Sequence, residues 1–434
     1  MGPAYGHGDA RQHDFLRLVA AWNTGAMRRR HLLALTPAAA LAACTDSGQD
    51  PAADGTSDSG GSSDHGGSDG GSSDGGAEPT ADPTTEPEPT AAELLLDELS
   101  PREIAGQLVL VGIPAGTEIP AEVWTDHHAA GIFLLQVWKD PAAVESVVSS
   151  AHDGVSDGVA PLIAVDQEGG QVRMLRGDAA RRTPSAETLG ADSADSGRAV
   201  TDAYTSIGED LAALGIHVDL APVADVVDPE LGDANEPVGG LGRGFGTEPE
   251  HVGECVRAAV EALTAQGVAA TLKHFPGLGR VEQNTDFSAE GIEDTVTGPD
   301  DPFLDSFTAG IDAGAQLVMM SSAIYPELEP GVPAMFSSVV ITDLLRDQLG
   351  YDGLVVTDDI GAAEAVASVP VADRATRLLE AGGDLVLTAD ASLTGQLVDA
   401  VEDWAGQSSA QEERVRESAL RVLSLKQDLG LLDG

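Results

Sequence analysis

Short apolar runs alternate with amphipathic stretches through most of the chain, and this rhythm is its strongest structural signal. Eight runs stand out: Leu108 to Ile113, Gly131 to Leu135, Leu162 to Val165, His217 to Pro222, Ala269 to Leu272, Gln316 to Met320, Leu354 to Val356 and Asp384 to Leu387. Unbroken apolar runs of this length, bounded by turn residues and separated by helical patterns, read as parallel strands buried on both faces. Eight of them predict a single (β/α)8 barrel of the TIM type, an α/β fold, over residues 92–434. Length alone would allow more than one domain, but the alternation is uninterrupted over roughly 340 residues, which one barrel can absorb.

Three of the runs end on polar chemistry. Asp166-Gln167-Glu168-Gly169-Gly170 follows the third, Lys273-His274-Phe275-Pro276-Gly277 the fifth, and Asp358-Asp359 the seventh. Barrels of this kind build their sites at the C-terminal ends of strands, so the three clusters are expected to share one pocket.

Composition narrows the class of partner. The chain has a formal charge of -49 with only 23 Lys and Arg, which argues against nucleic acid or another polyanion, because binding one requires a basic footprint. A highly acidic proteome or a high-salt habitat accounts for the charge. Aromatic residues make up 4%, which suits helices packed on a sheet rather than an aromatic-rich sandwich.

The N-terminal region reads as export machinery. Met27-Arg28-Arg29-Arg30 and the apolar stretch to Leu41-Ala42-Ala43 form a signal peptide over residues 27–43, too short and Ala-rich for a lasting membrane span. Cys44 after Leu-Ala-Ala resembles a bacterial lipobox, which implies diacylation of Cys44 and anchoring to the outer face of the cell membrane; Arg29-Arg30 also resembles a weak twin-arginine signal. Residues 1–26 lack this logic and are expected to reflect a start assigned too early. The competing reading is a cytosolic protein with an untidy N-terminus. Residues 44–91 are almost entirely Gly, Ser, Asp, Pro, Thr, Glu and Ala, so they are expected to stay disordered and act as a tether. With Cys44 acylated, Cys255 has no intramolecular partner, and its helical surroundings mark it as a buried small residue.

Asp166-Gln-Glu-Gly-Gly170, Ala221-Pro-Val-Ala-Asp225, Arg243-Gly-Phe-Gly246, Lys273-His-Phe-Pro-Gly277 and Val356-Thr-Asp-Asp359, in this order, resemble the single-domain β-N-acetylglucosaminidases of glycoside hydrolase family 3. Arg421 to Lys426, followed by Leu429-Gly-Leu-Leu432, is similar to that family's last helix, and the lipobox with its acidic linker resembles the family's actinobacterial lipoproteins. The resemblance implies a (β/α)8 barrel and a retaining mechanism with Asp358 as nucleophile. It also implies that Lys273 and His274 hydrogen-bond sugar hydroxyls, and that Asp166 and Arg243 hold the non-reducing-end sugar. Each has a plainer alternative: Asp358 as a helix cap, Lys273 in an internal salt bridge with Asp166, His274 as a core histidine. Asp359 is read as capping or orienting, Glu168 as either a site residue or a helix-entry turn, and His217 as a packed structural histidine.

The chain departs from the family where proton transfer is concerned. Relatives continue Lys-His-Phe-Pro-Gly with a second His and then Asp-Ser-His, whose His is the acid/base; here Leu278 and Asn284-Thr285-Asp286 stand in those positions, and no His follows His274. Asp286 is the expected replacement, its carboxyl kept protonated by the nearby Asp358 charge. The alternatives are Glu282, a substrate whose good leaving group needs no strong acid, or a chain that binds glycan without cleaving it. A second departure puts Arg173 three residues beyond Gly170 and Met174 at the fourth, where relatives often carry Arg.

A class I aldolase using Lys273 would leave Asp358 and Arg243 unexplained, and a metal-dependent hydrolase would want closely paired His ligands. The expectation is therefore an exported retaining exo-β-glycosidase acting on terminal β-N-acetylglucosamine of peptidoglycan-derived or other glycans. A β-glucosidase-like enzyme of the same family, or a catalytically impaired glycan binder, is the runner-up. No cofactor and no metal follow from the sequence. Water or another acceptor such as phosphate can resolve the intermediate, and no residue pattern selects an oligomeric state.

Overall fold

The computed structural model describes residues 89–155, 159–191 and 195–432. The start-site, signal-peptide and Cys44 lipidation expectations, with nearly all of the tether, lie outside the described residues.

Each of the eight apolar runs forms a strand: β1 (Val109–Pro114), β2 (Gly131–Leu135), β3 (Leu162–Val165), β4 (Val218–Asp219), β5 (Ala269–Phe275), β6 (Leu317–Met320), β7 (Leu354–Thr357) and β8 (Val386–Thr388). The hydrogen-bonded order is β8-β1-β2-β3-β4-β5-β6-β7, with every pair parallel. A parallel bridge between Val356 and Leu385 joins the two outer strands. The sheet thus curls into the predicted barrel, whose strands are buried throughout except at Pro114.

Two boundaries differ from the sequence expectation. The run at His217 to Pro222 contracts to Val218–Asp219, because the bonding to β5 slips there: the Ala269 N–H bonds His217 O, and two residues on the Thr271 N–H bonds Ala221 O, four residues on. The run ending at Leu272 lengthens through Lys273 and His274 to Phe275, so the polar pair lies within the strand rather than after it. Opposite β6 the register shifts between Lys273 and Phe275, leaving His274 as a bulge residue. Bulges beside sites re-aim a side chain, and this one lies at the mouth of the barrel.

Helices cover the outside: α1 (Ala91–Glu98), α2 (Pro101–Gly106), α3 (Pro141–Gly154), α4 (Ser196–Ala213), α5 (Pro249–Thr264), α6 (Asp305–Asp312), α7 (Val371–Ala381), α8 (Thr394–Ala405) and α9 (Ser409–Asp428). Helix α1 opens one residue inside the expected tether, and Thr90 with Glu93 closes a capping box there, as Ser100 with Glu103 does for α2. On α5, Val252, Val256, Ala259, Val260 and Leu263 form the buried stripe, with Cys255 among them. Burial pushes the Cys255 thiol up to about 11, consistent with a packing residue. His217 is packed as expected: its Nδ1 accepts from the Ile163 N–H at 3.2 Å, its ring meets His152 edge-on, and burial followed by the His152 charge lowers it to about 4. No helix among the described residues is long and apolar enough to cross a membrane.

Asp384, wholly buried just before β8, collects Arg346, Arg414 and Arg421 at 2.7, 3.2 and 3.1 Å, together with the Ser418 hydroxyl and the Val355 N–H. This cluster ties α9, which contains the Arg421 to Lys426 stretch, to the N-terminal end of β7. Lys426 is also buried, donating from Nζ to Gln107 Oε1 at 2.7 Å, and burial lowers it from 10.5 to about 7. Between those two values the unfolded chain binds a proton that the folded chain does not, so this lysine's contribution to stability rises with pH over that window. The difference in melting temperature between the parent and Lys426→Met is expected to shift in the parent's favour from pH 7 to pH 10; a pH-independent difference would contradict the assignment.

Candidate active site

At the C-terminal end of the barrel one ionic network joins three strands. Directly after β3, the chain makes a hairpin of Gln167–Gly169 against Val172–Arg173. Lys273 Nζ on β5 reaches Asp166 Oδ1 at 2.6 Å and Glu168 Oε1 at 2.7 Å. Arg243 grips Glu168 with two bonds, from Nε at 2.9 Å and from a terminal nitrogen at 2.8 Å. The same terminal nitrogen lies 3.1 Å from His274 Nε2, while His274 Nδ1 lies 2.8 Å from Asp225 Oδ2. A guanidinium can only donate, so Nε2 accepts and the ring proton is assigned to Nδ1, facing Asp225.

Electrostatics follow from these contacts. Burial would neutralise Glu168, yet the Arg243 and Lys273 charges outweigh it and hold the carboxyl at about 2. Burial alone would lower Lys273, but Asp166 and Glu168 reverse the shift and raise it. Beneath them, wholly buried Asp219 accepts from the Gln167 N–H through Oδ1, has no partner at Oδ2, and is pushed up by burial to about 8.

The second half of the site comes from β7 and the loop after β5. Asp358, half-buried, donates its backbone N–H to Met320 O at 3.1 Å. Its neighbour Asp359 turns away and accepts from the N–H groups of Gly361, Ala362 and Ala389, holding the loop after β7 to the end of β8 rather than capping a helix. Asp286 sits in a turn closed by Asn284, whose side chain accepts the Asp286 N–H at 2.9 Å. The Asp286 and Thr285 carbonyls accept from the N–H groups of Glu364 and Ala365, in the segment that follows Asp358. Burial, then the charges of Asp358 and Asp359, push the Asp286 carboxyl up to about 7. Glu282, on the same loop, is exposed. The loop is also tied to the segment before Arg243, where buried Asn235 donates to the carbonyls of Leu278 and Val281 at 2.7 and 2.6 Å.

Residues 101–425 match the family described as "Glycosyl hydrolase family 3 N terminal domain". The chain belongs to glycosyl hydrolase family 3. Within this family it is 36% identical over 307 residues to a protein named beta-hexosaminidase from Xanthomonas axonopodis pv. citri (strain 306), covering 68% of this chain and 87% of that one. The solved beta-N-acetylhexosaminidase from Beutenbergia cavernae DSM 12333 superposes with a TM-score of 0.72 at 42% identity, over 76% of this chain and 99% of that one. A glycoside hydrolase family 3 beta-N-acetylglucosaminidase from Paenibacillus sp. str. FPU-7 superposes at 0.67 and 31% identity, covering 77% and 64%.

The structure brings Asp166, Arg243, Lys273 and His274 into one connected cluster, and the charges of Asp358, Asp359, Arg243 and Asp166 act on the Asp286 carboxyl. Lys273 makes the salt bridge to Asp166 that its alternative reading required, and His274 is nearly buried with both ring nitrogens engaged. Two further residues of the cluster were not assigned from sequence. Glu168, left open as a possible helix-entry residue, lies in the hairpin strand and neutralises both cations. Asp225, quoted only within a motif, accepts from the His274 and Leu278 N–H groups and from the His274 ring. The available signal was one of charge balance: cations at a buried strand end require carboxylates, and these motifs supplied them. Asp225→Ala strands three buried donors, so it is expected to cost roughly 3 kcal/mol of unfolding free energy in urea; a loss within 0.5 kcal/mol, about the effect of an ordinary surface substitution, would contradict that account.

Proposed function

We propose that this family 3 chain is an exported, lipid-anchored retaining exo-β-glycosidase that removes terminal β-N-acetylglucosamine from peptidoglycan-derived or other glycans. The observation that carries the mechanism is Asp286, a carboxyl raised to about 7 and fixed by its backbone to the segment after the nucleophile strand. At neutral pH such a group can both give and take a proton.

In the first step Asp358 attacks the anomeric carbon, the glycosidic C–O bond breaks, and the leaving oxygen takes the Asp286 proton. In the second, Asp286 as carboxylate takes a proton from water, whose oxygen attacks the anomeric carbon and releases Asp358. Asp166, Arg243, Lys273 and His274 hold the sugar hydroxyls, the ionic network fixing their directions in advance. Preference for the N-acetyl sugar is supported by the names of the relatives, and export by the Met27 to Cys44 sequence.

Turnover of paired aryl β-N-acetylglucosaminide and β-glucoside substrates tests this reading. Release should favour the N-acetyl sugar and vanish in Asp358→Ala; no release from either sugar would leave a glycan-binding protein. Asp286 must be protonated for the first step, so kcat/KM should fall as pH rises through about 7. Asp286→Ala should abolish that limb and slow sugar leaving groups by about 10²-fold or more while sparing activated aryl groups. Equal loss on both would refute the acid role.

A further inference from the structure

In a chain of net charge -49, cations normally find carboxylates, and Arg243, Arg280, Arg346, Arg414 and Arg421 each hold one. The hairpin after β3 differs. Arg173 Nε donates to the Gly170 carbonyl, and Arg176 donates to the carbonyls of Arg173 and Gln171. Both are half-buried, Arg182 nearby is exposed, and none of the three forms an ion pair among the described residues. Lys139 comes alongside through the bridge between Trp138 and Leu175 and the bond from the Arg176 N–H to Trp138 O. Of the carboxylates near these cations in sequence, Asp178 and Glu187 are exposed, Asp140 beside Lys139 caps α3, and Asp166 and Glu168 are taken up by Lys273 and Arg243; none forms an ion pair with them among the described residues. Burial, then repulsion from Arg176 and Arg182, lowers the Arg173 pKa, with no carboxylate opposing it.

This patch borders the active site. Arg173 pairs with Gln167 across the hairpin, and the Met174 N–H bonds the Asp166 carbonyl at 3.0 Å. The turn is pinned to the Arg243 loop by Gln171 Nε2 donating to Leu241 O at 3.1 Å. We infer that Arg173, Arg176 and Arg182 form an anion subsite for a carboxylate on the leaving portion of the glycan. The inference rests on the exo-glycosidase reading: with only the terminal sugar in the pocket, the rest of the substrate lies along the rim, where these guanidiniums are. Half-buried guanidiniums crowding one another gain most from an anion, and their planar forks match a carboxylate with two parallel bonds. A local patch of this kind also offsets the field of an otherwise acidic protein, which repels such substrates.

The test compares kcat/KM of the full chain for a nitrophenyl β-N-acetylglucosaminide and for its analogue bearing a carboxylate on the same ring. The ratio of carboxylated to neutral substrate should fall about fivefold in Arg173→Gln/Arg176→Gln and less in Arg182→Gln, and should be kept by Arg176→Lys. Added salt should shrink the ratio in the parent. A ratio unchanged in all the Gln variants overturns the subsite, whatever the absolute rates. Calorimetric binding to Asp358→Asn reads the patch without turnover: arginine-dependent preference for the carboxylated glycoside in this variant, with a parent that itself cleaves neither substrate, would refute the glycosidase and retain the subsite, whereas equal affinity for both probes refutes the subsite alone.

Discussion

A buried ammonium at the end of a barrel strand can stay charged only if carboxylates surround it, and the geometry around Lys273 follows from that constraint. Asp166 and Glu168 arrive from the end of β3, two strands away, and from its hairpin, and Glu168 in turn fixes Arg243. Arg243 directs His274, whose other nitrogen is held by Asp225. Removing Glu168 would strip Arg243 of its carboxylate and removing Asp225 would leave an unpaired ring donor, whereas without Asp166 the ammonium of Lys273 keeps Glu168. Such a network also fixes in advance the directions of its polar groups, which in the proposed reaction are the ones that meet the sugar.

Most of the barrel was legible because a strand buried on both faces must be apolar, and each of the eight apolar runs became a strand. The two boundary errors have a common origin. Pattern reading stops a strand at a charge and cannot see a slip in bonding; β5 continues through Lys273 because partners neutralise it, and β4 stops at Asp219 because its pairing with β5 slips there. The site was legible as three separate clusters. Its wiring was not: that Glu168 serves two cations and Asp225 three donors depends on contacts between residues far apart in sequence.

In the proposed reaction Asp286 does the work of an acid/base imidazole, with environment substituting for residue type. A free carboxyl titrates far too low to hold a proton at neutral pH, whereas burial beside Asp358 and Asp359 brings this one to about 7, near where an imidazole would be. The sequence reading credited the Asp358 charge with that effect; desolvation is the larger cause. Proton affinity here is thus a property of the pocket, and the side chain supplies only the oxygen.

The turn that carries Asp286 is fastened through main-chain atoms: its carbonyls to the N–H groups of Glu364 and Ala365, and its own N–H to Asn284. None of the bonds to the neighbouring segment involves the Asp286 side chain. The turn therefore works as a socket built from main-chain atoms: in the proposed reaction, the segment it rests on places no structural demand on the Asp286 side chain.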